Sequence, residues 1–116
     1  MRYIALIYSD ESQGENASPE AMQQILAEYR QFDAEVKAAG KWVAGDALKG
    51  TDTATTIRVR DGKTMMTDGP FAETKEQLGG YYLLECDDLD DALAWAAKIP
   101  TTKYGSVEVR PLMIFD

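Results

Sequence analysis

The chain has 116 residues, 45% of them apolar, which fits one domain over residues 1–116 with a single hydrophobic core. Its net charge is −8, from 20 acidic and 12 basic residues, and this balance argues against direct contact with a nucleic-acid backbone. There is no histidine and only one cysteine, Cys86. These counts exclude Ser/His/Asp and Cys/His catalysis, an internal disulfide and the usual zinc sites, so we expect neither a cofactor nor a metal site.

The apolar run that follows Met1-Arg2-Tyr3 has only five residues, which is too short for the hydrophobic region of a signal peptide. No stretch approaches the roughly 20 apolar residues that a membrane-spanning helix needs. Together with the single cysteine, these features predict a cytoplasmic protein without a membrane partner.

The first predicted elements are a strand over residues 3–8, apolar on both faces, and a helix over residues 19–39. The polar residues between them are interpreted as a loop. Ser18 and Pro19 are typical of a helix start, and Gly40 is typical of a helix end. Apolar residues recur at helical spacing inside this helix: Met22, Ile25, Leu26, Tyr29, Phe32 and Val36.

The middle of the chain is predicted to form short strands and a hairpin. Residues 41–48 have the composition of a strand, and residues 54–60 alternate in polarity. Asp61-Gly62 is a strong two-residue turn signal, after which residues 63–67 return as the partner strand.

The last third is predicted to contain a strand, a helix and a final strand. Residues 80–86 form a second strand that is apolar on both faces. Asp88 precedes a helix over residues 89–98, which Pro100 ends. Residues 106–110 alternate in polarity as the last strand. The predicted buried stripe of the helix is Leu89, Ala92, Leu93, Ala96 and Ile99.

The order of these elements predicts an α+β fold. It matches a ferredoxin-like βαββαβ sandwich, with an inserted hairpin and with two helices on one face of an antiparallel sheet. Strands 3–8 and 80–86 are apolar on both faces, but the helices cover only one. We therefore expect a second copy to cover the other face in a two-fold homodimer.

The sequence DGPF at residues 68–71 is followed by ETKE at residues 73–76 and GGY at residues 79–81. This pattern resembles the signature of the DGPF proteins, which belong to the YCII-related (YciI-like) family. Residues 1–8 and 107–111 are also similar to that family, so the resemblance spans nearly the whole chain.

The resemblance implies a dimeric α/β barrel made of two such sandwiches, and it implies less about activity. Genes of DGPF proteins often neighbour those of extracytoplasmic-function sigma factors. Related YciI-like proteins have been proposed as enzymes with a His–Asp pair, and one branch is linked to removal of chloride from an aromatic intermediate. The Asp of that pair matches Asp68, whereas its histidine has no counterpart in this chain.

Asp68 is the candidate catalytic residue, as a general acid or base in a cavity. Its alternative role is that of a turn residue bonded to nearby backbone N–H groups before Gly69 and Pro70. We expect a rigid corner here, with a positive φ at Gly69. In this corner Asp68 would turn inward, within ion-pair reach of Arg58 or Arg110.

The candidates for substrate binding are Arg58, Arg110, Tyr8 and Phe71. Either arginine could bind a carboxylate or phosphate, and either could instead pair with a glutamate. The two aromatic rings could contact a ligand or could pack in the core. The ligand expected from these side chains is a small anionic or aromatic molecule.

Three functions remain open at this point. The first is a small-molecule-binding or regulatory accessory protein, associated with sigma-factor systems, which the missing histidine favours. The second is an enzyme on a small organic acid or aromatic substrate, of the isomerase, lyase or dehydrochlorinase type, with Asp68 as the acid or base. The third is a non-catalytic protein–protein interaction module, which the absence of a polar cavity near Asp68 would favour.

Overall fold

The computed structural model describes residues 1–115 as a mixed α+β arrangement, which confirms the fold class expected from the sequence. In chain order the elements are β1 (Arg2–Ser9), α1 (Glu11–Glu15), α2 (Pro19–Ala38), β2 (Trp42–Ala47), β3 (Thr55–Arg60), β4 (Lys63–Asp68), β5 (Gln77–Glu85), α3 (Leu89–Ala96) and β6 (Ser106–Pro111). Two 3-10 turns cover Thr51–Thr53 and Pro100–Lys103. None of the helices within the described residues has both the length and the apolar character that crossing a membrane requires.

Four strands form one antiparallel sheet in the order β2-β5-β1-β6, while β3 and β4 pair separately as a hairpin. The inner strand β1 pairs with β5 on one side and with β6 on the other. Alternate residues of β1, namely Tyr3, Ala5 and Ile7, face the helices and are buried. They share one core with the remaining buried apolar residues, which are Phe32, Val36, Tyr82, Leu84, Cys86, Ala92, Ala96 and Ile99.

Helix α2 begins and ends at the capping residues that the sequence predicts, and α3 begins at its predicted cap but ends at Ala96, two residues before the predicted end. The side chain of Ser18 accepts a hydrogen bond from the first turn of α2, and Gly40, beyond its end, has φ +73°. Asp88 caps α3 in the same way. The predicted loop before α2 contains the short helix α1, in which the Asp10 carboxylate accepts from the N–H of Ser12 at 2.9 Å. This helix has only five residues, too few to show a helical period in the sequence.

The apolar stripe of α2 is buried only in its C-terminal half. Phe32 and Val36 enter the core, whereas Met22 and Leu26 remain exposed. The sheet positions nearest to the N-terminal half include Gly45 and two further glycines, which offer no side chains to pack against. A gap therefore opens between this half of α2 and the sheet.

The predicted stripe of α3 is correct for its alanines and wrong for its leucines. Ala92 and Ala96 are buried against the sheet, but Leu89 and Leu93 are 47% and 46% exposed. At 100° per residue, the leucines lie roughly 20–100° around the helix from the alanines, and both are displaced in the same direction. The small alanines contact the sheet, and the leucines lie beside this contact, partly exposed to solvent.

The β3–β4 hairpin has the two-residue turn that the sequence predicts. Asp61 and Gly62 have φ values of 53° and 74°, which is the conformation that suits the twist of hairpin strands. Nearly all residues on both faces of the hairpin are exposed in the single chain. The hairpin therefore contributes little to the core.

The single chain is flat and open. Its radius of gyration is 16.3 Å and its dimensions are 48 × 47 × 18 Å, whereas a compact domain of this length has a radius of about 13 Å. Its accessible surface is 8290 Å², and a compact monomer of this mass exposes about 6,300 Å². Roughly 2,000 Å² is therefore exposed beyond what a compact monomer of this size shows.

The corner after β4 has the positive φ predicted for Gly69, at +93°, and a Cβ added there would meet no atom within 4 Å. We expect Gly69→Ala to lower the free energy of unfolding by about 1 kcal/mol, because backbone strain alone opposes the added methyl group. Urea denaturation of the variant and the parent protein measures the difference.

Gly14→Ala is the matched control for this substitution. A Cβ at Gly14 also meets open space, but its φ lies outside the left-handed region, so the change should be neutral or slightly stabilising. Equal destabilisation by the two substitutions would contradict the strain argument.

Candidate functional site

The charged candidates from the sequence lie apart from one another in the single chain. Asp68 is the last residue of β4; its side chain is exposed and forms no hydrogen bond or ion pair among residues 1–115. Arg58 belongs to the same hairpin, but it alternates onto the face opposite to Thr55, the register partner of Asp68. Arg110 lies in the other sheet, on β6. The single chain therefore brings neither arginine to Asp68, and the inward ion pair expected from the sequence is not formed within it.

The aromatic candidates do come together, at a pocket that we call the corner pocket. It has a volume of about 480 Å³ and lies between the DGPF segment and the loop that contains the first 3-10 turn. Its lining includes Tyr8, Lys49, Thr51, Pro70, Phe71 and Glu76. Two of the four predicted binding residues thus share one surface.

The backbone around Gly69 positions the DGPF segment at this pocket. The N–H of Gly69 donates to the carbonyl of Ala54 at 2.7 Å, and the hydroxyl of Thr56 donates to the carbonyl of Gly69 at 2.9 Å. The positive φ then turns the chain away from the hairpin. Pro70 and Phe71 reach the pocket because hydrogen bonds hold both the N–H and the carbonyl of Gly69.

Glu11 of the unexpected helix α1 braces the loop that lines the corner pocket. Its two carboxylate oxygens accept from the backbone N–H and the hydroxyl of Thr51, at 2.8 and 2.7 Å. Its own N–H donates to the side-chain oxygen of Gln77 at 3.0 Å. Because Thr51 and Gln77 both line the pocket, Glu11 fixes two parts of its wall, one through its carboxylate and one through its backbone N–H.

The chemistry of the corner pocket is that of an aromatic surface with one available cation. Phe71 is 78% exposed, so its ring does not serve as a core anchor and is free to contact a ligand. Lys49 forms no ion pair within residues 1–115, whereas Glu76 accepts from the hydroxyl of Ser106 at 2.8 Å. The pocket can therefore take a small aromatic molecule, and Lys49 can attract an acidic group on it.

A second cavity, the helix cleft, lies between α2, from Ile25 to Lys37, and the strands β2 and β5. Its volume is about 420 Å³. Tyr29 and Asp33 contribute from α2, Trp42 and Gly45 from β2, and Tyr82 from β5. Most of its wall is apolar or aromatic, as in many ligand pockets.

Two hydrogen bonds order the polar groups of the helix cleft. The Tyr82 hydroxyl donates to Asp33 Oδ1 at 2.5 Å, and the hydroxyls of Tyr29 and Thr101 share a second hydrogen bond. Burial raises the pKa of the Tyr82 phenol, and the Asp33 carboxylate raises it further. Burial also raises the pKa of Tyr29. Both phenols therefore remain protonated at neutral pH, and Tyr82 acts as a donor to the carboxylate.

Sequence reasoning missed Asp33 as a site residue and did not pair it with Tyr82, although a signal was present. Asp33 is four residues from Tyr29, so it lies on the same face of α2 as part of the apolar stripe. A carboxylate at such a position needs a partner, and the sequence alone did not identify Tyr82 as that partner. The glycines of β2 and β5 were a second signal, because glycine inside a strand often marks close approach or open space.

Cys86 and the carboxylates of residues 1–115 show neither an activated nucleophile nor a metal cluster. Cys86 is buried, and burial raises the pKa of its thiol, so the nucleophilic thiolate is disfavoured. Over residues 1–115, no three Cys, Asp or Glu side chains are grouped closely enough to hold a metal ion.

Comparison with known proteins places the chain in a family. The sequence model of the YCII-related domain matches residues 1–116. An uncharacterized protein of Rhizobium meliloti (strain 1021) is 40% identical over 119 residues, an alignment that covers 99% of this chain and 94% of that protein. The resemblance first seen in the DGPF segment is thereby confirmed over the full length, and the chain belongs to the YCII-related family.

Proposed function

We propose that this protein is a homodimeric, cytoplasmic small-molecule-binding protein whose ligand occupies the corner pocket. The observation that carries the proposal is that Pro70 and Phe71, from the family signature, line this pocket together with Tyr8. The fold we propose is a ferredoxin-like domain, two copies of which form a dimeric α/β barrel. A regulatory role beside an extracytoplasmic-function sigma factor is consistent with ligand binding without catalysis.

The excess surface of the single chain supports the homodimer. The additional area of roughly 2,000 Å² is of the size that stable dimers bury. The sheet face away from the helices carries the half-buried side chains Ile4, Leu6 and Leu83. Apolar side chains are also exposed on the hairpin and near the C-terminus, namely Ile57, Val59, Met65, Met66, Met113, Ile114 and Phe115.

A ligand of the aromatic or anionic class fits the corner pocket best. The exposed ring of Phe71 offers a stacking surface, and Lys49 is the cation in the lining. The presence of a partly polar cavity beside the DGPF segment argues against a pure protein–protein interaction module. Both aromatic candidates from the sequence keep the binding role first assigned to them.

An enzyme that uses Asp68 is the second candidate function. Asp68 is separated from the pocket-lining Pro70 by only one residue. Catalysis on a small organic acid would further require an arginine near Asp68. In a homodimer, Arg58 or Arg110 of the second copy would have to supply it.

The homodimer predicts a mass in solution of twice that of one chain. Light scattering on the purified protein at micromolar concentration measures it. A folded monomer under these conditions would refute the dimer. We further expect Leu6→Arg to prevent assembly, because an unpaired charge would be buried on the sheet face. Leu93→Arg is the control, since Leu93 lies half-exposed on α3, and it should leave the dimer intact.

Ligand binding in the corner pocket predicts a loss of affinity in Phe71→Ala. Benzoate and phenylacetate serve as probes, followed by amide chemical shifts of the labelled protein. Removing the ring should weaken binding by about tenfold, because an aromatic contact contributes about 1 kcal/mol or more. Leu89→Ala, on the outer side of α3, should bind like the parent protein. Equal affinities for Phe71→Ala and the parent protein would refute the site.

Asp68→Asn separates the binding protein from the enzyme, because it keeps the shape of the side chain and removes its charge. For a binding protein we expect unchanged stability and unchanged affinity for the two probes. If a substrate is turned over by the parent protein and no longer by this variant, the enzyme function is correct instead.

Independence from metals follows from the composition and is tested with EDTA. We expect an unchanged melting temperature after EDTA treatment, because the chain has no histidine and a single cysteine. A fall of several degrees, reversed by calcium or magnesium, would reveal a cation held by oxygen ligands.

A further inference from the structure

The helix cleft contains a carboxylate that lacks a basic partner. Asp33 accepts a hydrogen bond from Tyr82 on one oxygen and forms no ion pair within residues 1–115. Lys37, one helical turn later, would be the natural partner. Its ammonium group instead lies 4.7 Å from the centre of the Trp42 ring. The negative charge of Asp33 is therefore only partly compensated in the cleft.

The space beside Asp33 depends on glycines in the sheet. A Cβ at Gly45 would come within 2.7 Å of Cδ1 of Tyr82, so a side chain there would displace the ring that binds Asp33. A Cβ at Gly80 would come within 2.8 Å of the carbonyl oxygen of Asp46. The strands can thus approach each other and leave the floor of the cleft bare of side chains. The ring of Tyr82 also packs edge-to-face against Phe32, with 5.1 Å between the ring centres.

The other walls of the helix cleft are mostly apolar or aromatic, and their charged residues are Lys37 and Asp46. Ile7 belongs to β1, Ile25 and Leu26 to α2, and Tyr29 closes the same side with its hydroxyl held by Thr101. A cavity of about 420 Å³ accommodates a small organic molecule. Such a molecule would meet an apolar surface along most of its length and two carboxylates, Asp33 and Asp46, the second of which already accepts from the Tyr81 hydroxyl at 3.1 Å.

From this arrangement we propose that the helix cleft binds an organic ammonium ion with an apolar or aromatic body. The ammonium group donates to Asp33, and the body lies between the aliphatic residues of α2 and the rings of Tyr29 and Tyr82. A charge-assisted hydrogen bond inside an apolar cavity is stronger than the same bond in water. The cleft would form a second binding site, separate from the corner pocket.

Other ligand classes fit this cleft less well. An organic anion would be repelled by Asp33, by Asp46 and by the net charge of −8, which together outweigh Lys37, the one cation in the lining. A neutral apolar molecule would displace water from Asp33 and offer no hydrogen-bond donor in its place. Removing a carboxylate from water without such a partner is costly. An ammonium ion supplies the donors and the positive charge that Tyr82 alone does not provide.

The test uses three probes of the same shape: 2-phenylethylamine, 2-phenylethanol and phenylacetate. Binding to the full chain is followed by amide chemical shifts, which also locate the site. We expect the amine to bind with a Kd of about 1 mM, as suits so small a ligand, and at least about tenfold more tightly than the alcohol. Its shifts should map to the middle of α2 and to β5, and phenylacetate should cause no shifts there.

Asp33→Asn is the decisive variant, because it keeps an acceptor for Tyr82 and removes the charge. We expect its affinity for the amine to fall to that of the alcohol, with an unchanged circular dichroism spectrum. If this variant does not fold, Tyr82→Phe takes its place: it keeps the charge of Asp33, so the preference for the amine must persist. The matched control is Asp61→Asn, which removes an exposed carboxylate in the hairpin turn, outside the cleft, and should bind the amine like the parent protein.

Three results would overturn the proposal. They are equal affinity for amine and alcohol, amine-induced shifts that lie outside the helix cleft, and an absence of shifts at amine concentrations about tenfold above the expected Kd. The outcome is independent of the corner pocket, because Phe71→Ala should leave amine binding unchanged. Loss of benzoate binding and loss of amine binding are therefore distinguishable failures.

Discussion

The covering of the central sheet on only one face is the constraint on which the rest of the structure depends. The inner strands β1 and β5 present apolar residues in both directions, and α2 and α3 occupy one side. Ile4, Leu6 and Leu83 on the other side are only half-buried within the chain. Burial of apolar surface is the main favourable term in folding, so a sheet of this kind is stable when both of its faces are covered. The flat shape of the chain follows from the same cause.

The helix side of the sheet combines a tight half with an open half. Phe32 makes edge-to-face contacts with Tyr82 and Trp95, and the small residues of α3 allow close packing beside them. Towards the N-terminus of α2, glycines replace larger residues and the packing ends. Unfilled space inside a protein lowers its stability. Three tyrosines and two carboxylates nevertheless line this space, and a few polar groups in a mostly apolar cavity are typical of ligand pockets.

Much of the fold is predictable from the sequence, because local signals determine it. Capping residues set the ends of α2 and α3, and the Asp61-Gly62 turn sets the hairpin. The predictions that failed depend on how closely the elements pack against one another. Helical periodicity marks Leu89 and Leu93 as buried, but whether a leucine is covered depends on how closely the neighbouring alanines approach the sheet.

The candidate site is predictable to a smaller extent for the same reason. The DGPF pattern correctly indicates a corner at Gly69, and it leads to Phe71 and Tyr8 at one pocket. It says nothing about the distance from Asp68 to an arginine on another strand. The pair of Asp33 and Tyr82 joins residues 49 positions apart, and such a contact exists only once the helix has packed on the sheet.

The exposed hairpin has a consequence for local stability. An isolated two-stranded hairpin is at best marginally stable in water, and β3 and β4 pair only with each other. Their backbone hydrogen bonds can therefore open without global unfolding, as a separate cooperative unit. If the proposed homodimer covers the hairpin, amide hydrogen exchange in this segment depends on protein concentration, whereas exchange in β1 and β5 follows the stability of the core. The exchange rate of the hairpin amides would therefore indicate whether the hairpin surface is in contact with another molecule.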